Sequence, residues 1–427
     1  MNITPEFVTS RKKVSQNGRT VCVIGCGVIG ITTAVALCEK GFNVIVVDSE
    51  SEPASGASGQ NGGQLSYSYV DALGTSSLLK KLPKLALGMD DAFKLKADAS
   101  IPRAKWLMAF LANCTDNSFR SNTLALLALS TLSKLTMDIW IKHYKPEFDY
   151  RVAGKLLLCN EDSLQFHTNN IAMKSSFGIE QKVLNKEKTI ALEPFLSDTD
   201  NEFIGAIYSP DDAVGDAKKF VSEMKGILET DYDVEFKMDA LITSVHTENG
   251  KLLSIHTDDE AIRADAFVIC AGIASMKISE MLNEALPLQP MAGYSIDVSN
   301  ARNLPKVSLT DSNSKTVLCS MDNKLRFAGL ADLGFDHTQP RRIREIQLLD
   351  EFNKLYGRTT QSADINDVWI GTRPMTANSR PIIRKTKTDA AYLNCGHGMF
   401  GWTLSAGSAR VCADMIHDDL ISTKTDE

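Results

Sequence analysis

The 427-residue chain predicts an α/β fold: a dinucleotide-binding domain built on a parallel sheet, interrupted by an inserted α+β domain. Three observations carry this. A strand–glycine turn–helix–strand unit stands near the start. Buried-strand patterns of the same kind return in two later, separated pieces. The segments between them switch between helical and strand periodicity.

The opening unit comes first. Val21-Cys-Val-Ile24 is strand-like and leads into Gly25-Cys-Gly27-Val28-Ile29-Gly30. Residues 31–40 read as a helix ended by Gly41, and 42–47 read as a second buried strand ending on Asp48. In such a G-x-G-x-x-G turn, Gly25 permits the tight bend, Gly27 lets backbone N–H groups approach a pyrophosphate, and Gly30 lets helix and strand pack closely. The helix N-terminus, with Val28 and Ile29 in its first turn, offers unpaired donors and positive potential to phosphates. Asp48 stands where a carboxylate accepts bonds from a ribose 2′-OH; a basic residue there would favour a 2′-phosphate, so the pattern argues against NADP.

Composition sets outer bounds. With 43% apolar and 23% charged residues the chain is expected to be globular. The net charge of −7 and the lack of a basic tract beyond Arg11-Lys12-Lys13 argue against nucleic-acid binding. No window is expected to span a membrane: the greasiest stretch, 124–141, contains Lys134 and Asp138 and reads as an amphipathic core helix. Residues 1–18 are polar, without the apolar region of a secretory signal, and read as a flexible extension of a cytoplasmic protein. The nine cysteines form no C-x-x-C and no Cys/His cluster, so no metal site is expected; they suit a reducing compartment.

The remaining elements follow in order. A small-residue loop, 55–64, comes after Asp48. Residues 78–144 are mostly helical, with breaks expected at Pro83 and Pro102, and 155–159 read as a strand. Asp216 is a potential N-cap for a helix over 216–228. Strands are expected at 234–238, 241–247, 251–256 and 267–270, then at 293–298, 306–309, 316–319 and 325–329, with Asp322-Asn323 as a hairpin turn. A charged helix covers 341–356. These patterns assign 19–75, 205–280 and 360–427 to the nucleotide-binding domain. Residues 76–204 and 281–359 form the inserted substrate domain, which includes a helical part.

Two further signatures narrow the cofactor. Ala264-Asp-Ala-Phe-Val-Ile-Cys-Ala271-Gly272 is a buried strand ending on small residues, which lets backbone pass close to a ligand. Asn394-Cys-Gly396-His397-Gly398-Met-Phe-Gly401-Trp402-Thr403 is a glycine-rich loop opening a late helix. Its donors and dipole suit the edge of an isoalloxazine ring, where negative charge gathers on reduction. The three signatures together predict a Rossmann-like FAD-binding domain.

With these residues in place, the chain resembles the FAD-dependent D-amino-acid dehydrogenases, within the amine and amino-acid oxidoreductases that include glycine and sarcosine oxidases. The resemblance covers about 20–419. Its most specific motifs are Asn61-Gly-Gly63-Gln64-Leu-Ser66, Pro210-Asp-Asp-Ala-Val-Gly215-Asp216, Gly293-Tyr294-Ser295, Trp369-Ile-Gly371-Thr-Arg373-Pro374-Met375-Thr376 and the Gly396–Thr403 loop. It implies oxidative deamination of a D-amino acid: hydride passes from the α-carbon to flavin N5, the imino acid hydrolyses to a 2-oxo acid and ammonia, and electrons go on to a quinone or respiratory acceptor. It also implies a bacterial enzyme, often held on the inner face of the cytoplasmic membrane.

Several site residues are expected. Arg373 stands where the family places a carboxylate-binding arginine, and a guanidinium fork matches a carboxylate. Tyr294 either bonds that carboxylate or is a core tyrosine, and Tyr67 is a weaker candidate of the same kind. His397 either lines the flavin edge or caps a helix. Ser58, Asn61 and Gln64 are expected to touch flavin or pyrophosphate, and Ile242 matches a position whose backbone meets adenine. FAD is expected to be noncovalent, with Cys395 the sole nucleophile by position.

The chain also departs from the family. The usual P-D-G and following P-x-x-G become Ala377-Asn378-Ser379 and Pro381-Ile-Ile-Arg384, changes expected to lie near the flavin. Ser49 follows Asp48 where a basic residue is common. Residues 78–85 mix leucines with Lys80, Lys81 and Lys84 and read either as a membrane contact or as an amphipathic element. Two rivals stay open: an O2-using oxidase of glycine, sarcosine or a cyclic imino acid, and a catalytically impaired flavin-binding regulatory protein.

Overall fold

The computed structural model describes residues 17–79, 92–95, 100–301, 303–335, 342–357, 364–366 and 368–421. Most of the expected extension (1–16), Pro83 and most of the lysine–leucine stretch lie outside these residues.

The nucleotide-binding domain centres on a six-stranded sheet. In spatial order it runs Ile382–Lys385, Ala391–Cys395, Ala266–Ile269, Thr20–Ile24, Asn43–Val47, Glu235–Lys237. All neighbours are parallel except Ile382–Lys385, which is antiparallel to Ala391–Cys395. Strand alternation divides the core. Val21 and Val23 face a cluster with helices Val28–Glu39, Ala217–Tyr232 and Gly401–Ile421. Cys22 and Ile24 face Leu252, Ile255 and Ile262 of a three-stranded sheet. Both faces are covered, so these strands carry near-continuous apolar runs.

The second layer is a ten-stranded mixed sheet. One face packs Tyr294, Ile296, Phe327 and Leu156 against Leu348, Phe352 and Tyr356 of the helix Arg342–Tyr356. The opposite face carries Lys155, Thr310, Met291 and Arg373 to the cavity described below.

Several boundaries differ from expectation. Gly205–Ser209 pairs with Lys155–Cys159 and Lys182–Asn185, so it belongs to the ten-stranded sheet and not to the nucleotide domain. Trp369–Thr376 likewise pairs with Leu288–Ser299. The break expected at Pro102 is a helix start: Ser100 is extended and Pro102 occupies the first turn of Ile101–Ala112, where its missing N–H costs nothing. Residues 241–243 precede the strand Ser244–Glu248. The helix Asp116–Tyr144, expected in the insert, packs on the nucleotide domain: Met137 and Trp140 join its core. Gly407 lets the two backbones meet there, since a Cβ on it would lie 2.5 Å from the Leu129 carbonyl oxygen. Contrary to expectation, this helix is long and apolar enough to cross a membrane by length and composition.

Candidate active site

A cavity of about 1600 Å³ is lined by residues of both layers. Its lining includes Ile242, Asp48, after Asn43–Val47, and the Gly396–Thr403 loop, after Ala391–Cys395, three strands away across the sheet. Arg373 lies by that loop, since Met375 two residues on bridges to His397.

At the glycine turn, Gly25 has φ +112° and its N–H donates to the Val47 carbonyl at 2.8 Å. A Cβ on Gly30 would overlap the Gly25 carbonyl oxygen. Gly30 therefore shapes the cradle from behind and does not line the cavity, whereas Gly25, Gly27, Val28 and Ile29 do. The Val28 N–H donates to Ser58 Oγ at 3.1 Å, so Ser58 stands at the helix N-terminus where donors and dipole favour an anion. Asp48 accepts from the Cys26 N–H and, at 2.9 Å, from the Glu50 N–H. Its carboxylate holds the turn and retains acceptor capacity beyond those two bonds.

Three further glycines of the lining adopt left-handed backbone: Gly272 at φ +56°, Gly396 at +75° and Gly398 at +55°. A Cβ on Gly396 would press on Thr376 and Leu288. Ala271, Gly272, Gly396, Gly398 and Gly401 all line the cavity. Trp402 and Thr403 line it too: the Trp402 indole donates to the Gly215 carbonyl at 3.0 Å, just before the helix Ala217–Tyr232, and Thr403 Oγ1 accepts at 3.1 Å from the N–H of Ser66, which follows the small-residue loop. Asn61 Oδ1 accepts from the Gly63 N–H. Gln64 is committed to protein: its Nε2 donates to Ser308 Oγ and the Leu309 carbonyl, and its Oε1 accepts from Lys155 and Thr310.

Arg373 reaches the cavity from Trp369–Thr376 and is half-buried. Burial pulls its pKa down to about 10, so it stays protonated at neutral pH. Among the described residues no carboxylate pairs with it, in contrast to buried Arg326 and Arg344, which meet Asp297 and Asp332. A half-buried cation without an anion is partly desolvated at a cost, and an anionic ligand would offset that cost. His397 lines the cavity too; it is buried, its Nε2 has no partner among the described residues, and burial lowers its pKa to about 3. It is therefore a neutral imidazole.

Two expected site residues lie elsewhere. Tyr294 does not line this cavity; its hydroxyl donates to Asp332 Oδ2 at 2.8 Å in the core of the ten-stranded sheet. The reason is strand parity: Tyr294 follows Gly293 and points to the opposite face. Tyr67 is likewise packed into the nucleotide-domain core. The divergent 377–384 stretch does not line the cavity either. Ser379, at φ +64°, accepts from the Leu73 N–H, and Arg384 pairs with Glu284 at 2.6 Å.

One site residue escaped the sequence reading. Lys155 is buried, lines the cavity, and donates to Gln64 Oε1 at 2.9 Å and Ser66 Oγ at 2.8 Å. Burial pulls its pKa down to about 8, against the opposing pull of Asp212.

A family model described as "FAD dependent oxidoreductase" matches residues 20–415. The chain belongs to this family of FAD-dependent oxidoreductases. It is 33% identical over 411 residues to a protein named D-amino acid dehydrogenase 2 from Ralstonia nicotianae, covering 93% of this chain and 96% of that one. It is 32% identical to a D-amino acid dehydrogenase from Paramagnetospirillum magneticum, covering 93% and 94%. Among solved structures it is similar to a glycine oxidase from Bacillus cereus (TM-score 0.71, 18% identity, 94% and 95% covered). It is also similar to an L-proline dehydrogenase from P. horikoshii (TM-score 0.74, 15% identity, 94% of each chain covered). The glycine cradle, the helix N-terminus at Ser58 and the glycines lining the cavity at 272, 396 and 398 fit FAD, the cofactor of this oxidoreductase family.

Proposed function

We propose that this FAD-dependent oxidoreductase deaminates a D-amino acid oxidatively and passes the electrons to a quinone or another respiratory acceptor. The observation that carries the reading is Arg373, a guanidinium at the cavity that no carboxylate among the described residues pairs with. The D configuration is supported by the names of relatives 32–33% identical over most of the chain.

Bound FAD supplies the two-electron acceptor for the α-hydrogen and its electron pair. The protein's part is placement. Arg373 holds the substrate carboxylate by a bidentate fork. The neutral amine lone pair forms the C=N bond as the α C–H bond breaks, and water then converts the iminium to a 2-oxo acid and ammonium. Neutral His397 puts no second positive charge at this end of the site. The Gly396–Thr403 loop and the start of the helix Gly401–Ile421 would hold the cofactor's reactive end and would favour negative charge there.

Noncovalent cofactor binding is supported by Cys395, which is buried and whose thiol is pushed up to about 12 by burial, a poor nucleophile at neutral pH. The nine cysteines are free and buried, which supports a cytoplasmic location; peripheral contact with the inner face of the cytoplasmic membrane would bring the enzyme to a quinone.

The test is anaerobic mixing of the FAD-loaded protein with a panel of D-amino acids. Bleaching of the oxidised flavin band, with no response to the L-enantiomers, is expected. Silence across the panel sinks the reading. Stoichiometric hydrogen peroxide in air would move the enzyme to the O2-using oxidases.

A further inference from the structure

Beside Arg373 the cavity has an apolar arm, and its walls bear on the side chain that the substrate carries. Met375 stands two residues after Arg373 on the same strand, hence on the same face. Across the ladder, Met291 is the register partner of Arg373. Trp106, from the helix Ile101–Ala112, closes the arm: its indole N–H donates to the Met375 carbonyl at 3.0 Å. Phe110 stacks on Trp106 with ring centroids 5.3 Å apart and planes 5° from parallel. Trp106, Met291, Leu333 and Met375 form one buried cluster with Phe110 packed on it, and all five line the cavity.

None of these five side chains carries a charge, and the one polar group among them already has its acceptor. A carboxylate, ammonium or amide placed there would lose hydration without gaining a partner. A methyl group would leave most of the apolar wall facing water. A benzyl, isobutyl or thioether group would cover it, at about 25 cal/mol per Å² of apolar surface removed from water. Elsewhere the same cavity is lined by Lys155, Thr310 and Asp311, so its apolar and polar regions are distinct.

We infer that the preferred substrate has a large apolar side chain, of the phenylalanine, leucine or methionine kind, seated among Trp106, Phe110, Met291, Leu333 and Met375. This rests on the reading of Arg373 as the carboxylate anchor. With the carboxylate at Arg373, the side chain lies along the walls formed by that residue's own strand and register partner.

The experiment is anaerobic stopped-flow reduction of the FAD-loaded enzyme by D-phenylalanine, D-leucine, D-alanine, D-glutamate and D-lysine. This half-reaction involves no electron acceptor. The second-order rate constants for D-phenylalanine and D-leucine should exceed that for D-alanine by about tenfold or more, the discrimination that apolar pockets achieve. Those for D-glutamate and D-lysine should fall below it. Trp106 belongs to the core, so the informative variant is Phe110→Ala, at a half-buried position. It should lower the D-phenylalanine to D-alanine ratio by about tenfold, with FAD content checked by absorbance. D-alanine or D-glutamate as the fastest reductant overturns the inference. So does a ratio unmoved by Phe110→Ala, including the case where only reoxidation by a quinone changes. Failure of every D-amino acid to bleach the flavin strikes at the proposed function instead.

Discussion

The guanidinium of Arg373 lies over Gly293: a Cβ built on Gly293 would overlap Nη1, Nη2 and Cζ of Arg373. The two residues are diagonal neighbours in one ladder, since Met291 pairs with Arg373 and Gly293 with Gly371. The missing side chain at 293 creates the space in which the guanidinium rests.

Gly293→Ala should therefore displace Arg373 while leaving the FAD cradle untouched. A shift of about 1 Å in a positioning group costs about 10²-fold in rate. The expected outcome is a kcat/KM lower by that order, with FAD content and thermal midpoint close to wild type. Loss of FAD along with activity would mean that the glycine serves the fold and not the arginine.

Arg373→Leu removes the carboxylate anchor altogether. Truncating one partner of a buried charge pair costs about 2–5 kcal/mol, read here as a fall in kcat/KM for the amino acid. Arg373→Lys should recover part of the loss through charge without the fork. Benzoate or another simple carboxylate should protect wild type against thermal unfolding and fail to protect the leucine variant. Unchanged kinetics in Arg373→Leu would remove the residue from the site.

Much of this site was legible because its signals are local. The glycine cradle, Asp48 and the Gly396–Thr403 loop each depend on residues adjacent in sequence, and each lines the cavity. Tyr294 shows where adjacency misleads. The alternation that settles its direction was present in Tyr294, Ile296 and Val298 against Ser295 and Asp297, which marks the tyrosine face as the core face. Lys155 was hidden for the opposite reason: one lysine at the head of an apolar strand looks like an edge residue until Gln64 and Ser66 are brought to it from about 90 positions away. Domain limits were least legible. Gly205–Ser209 and Trp369–Thr376 have nothing in their own residues to say which sheet they join; only their partners decide it.

Two glycine substitutions separate cofactor space from fold. Gly27→Val places branched bulk at the cradle, where even a Cβ would lie 3.3 Å from Ser58 Oγ. It should yield a folded protein that does not retain FAD. Gly30→Ala sets a methyl against the Gly25 carbonyl. It should destabilise the domain itself by about 1–3 kcal/mol or more, as overpacking does, measured by denaturant midpoint on FAD-free protein. A yellow, stoichiometrically loaded Gly27→Val protein is the result that removes Gly27 from the cradle.

His397 gives a prediction in pH. Its ordinary pKa is about 6.5 when unfolded, and burial lowers it to about 3 in the native protein. Between pH 6.5 and 3 the unfolded chain therefore binds a proton that the native one does not. Stability must fall as pH drops through that window, by at most about 1.4 kcal/mol per pH unit for this single proton. Above pH 6.5 both states are neutral at this residue and it adds no slope. Carboxylates contribute to the same acid limb, so the measurement is a difference. Denaturant midpoints for wild type and His397→Gln, followed from pH 7 to pH 4, should diverge, with the variant the flatter. Kinetics give an independent reading. Because the imidazole is already neutral, His397→Gln should leave the shape of the pH profile for flavin reduction unchanged between pH 5 and 9, whatever it does to the absolute rate. If the substitution instead removes an ionisation near pH 6.5, His397 is protonated in the working enzyme, and a cation beside Arg373 has to be added to the site.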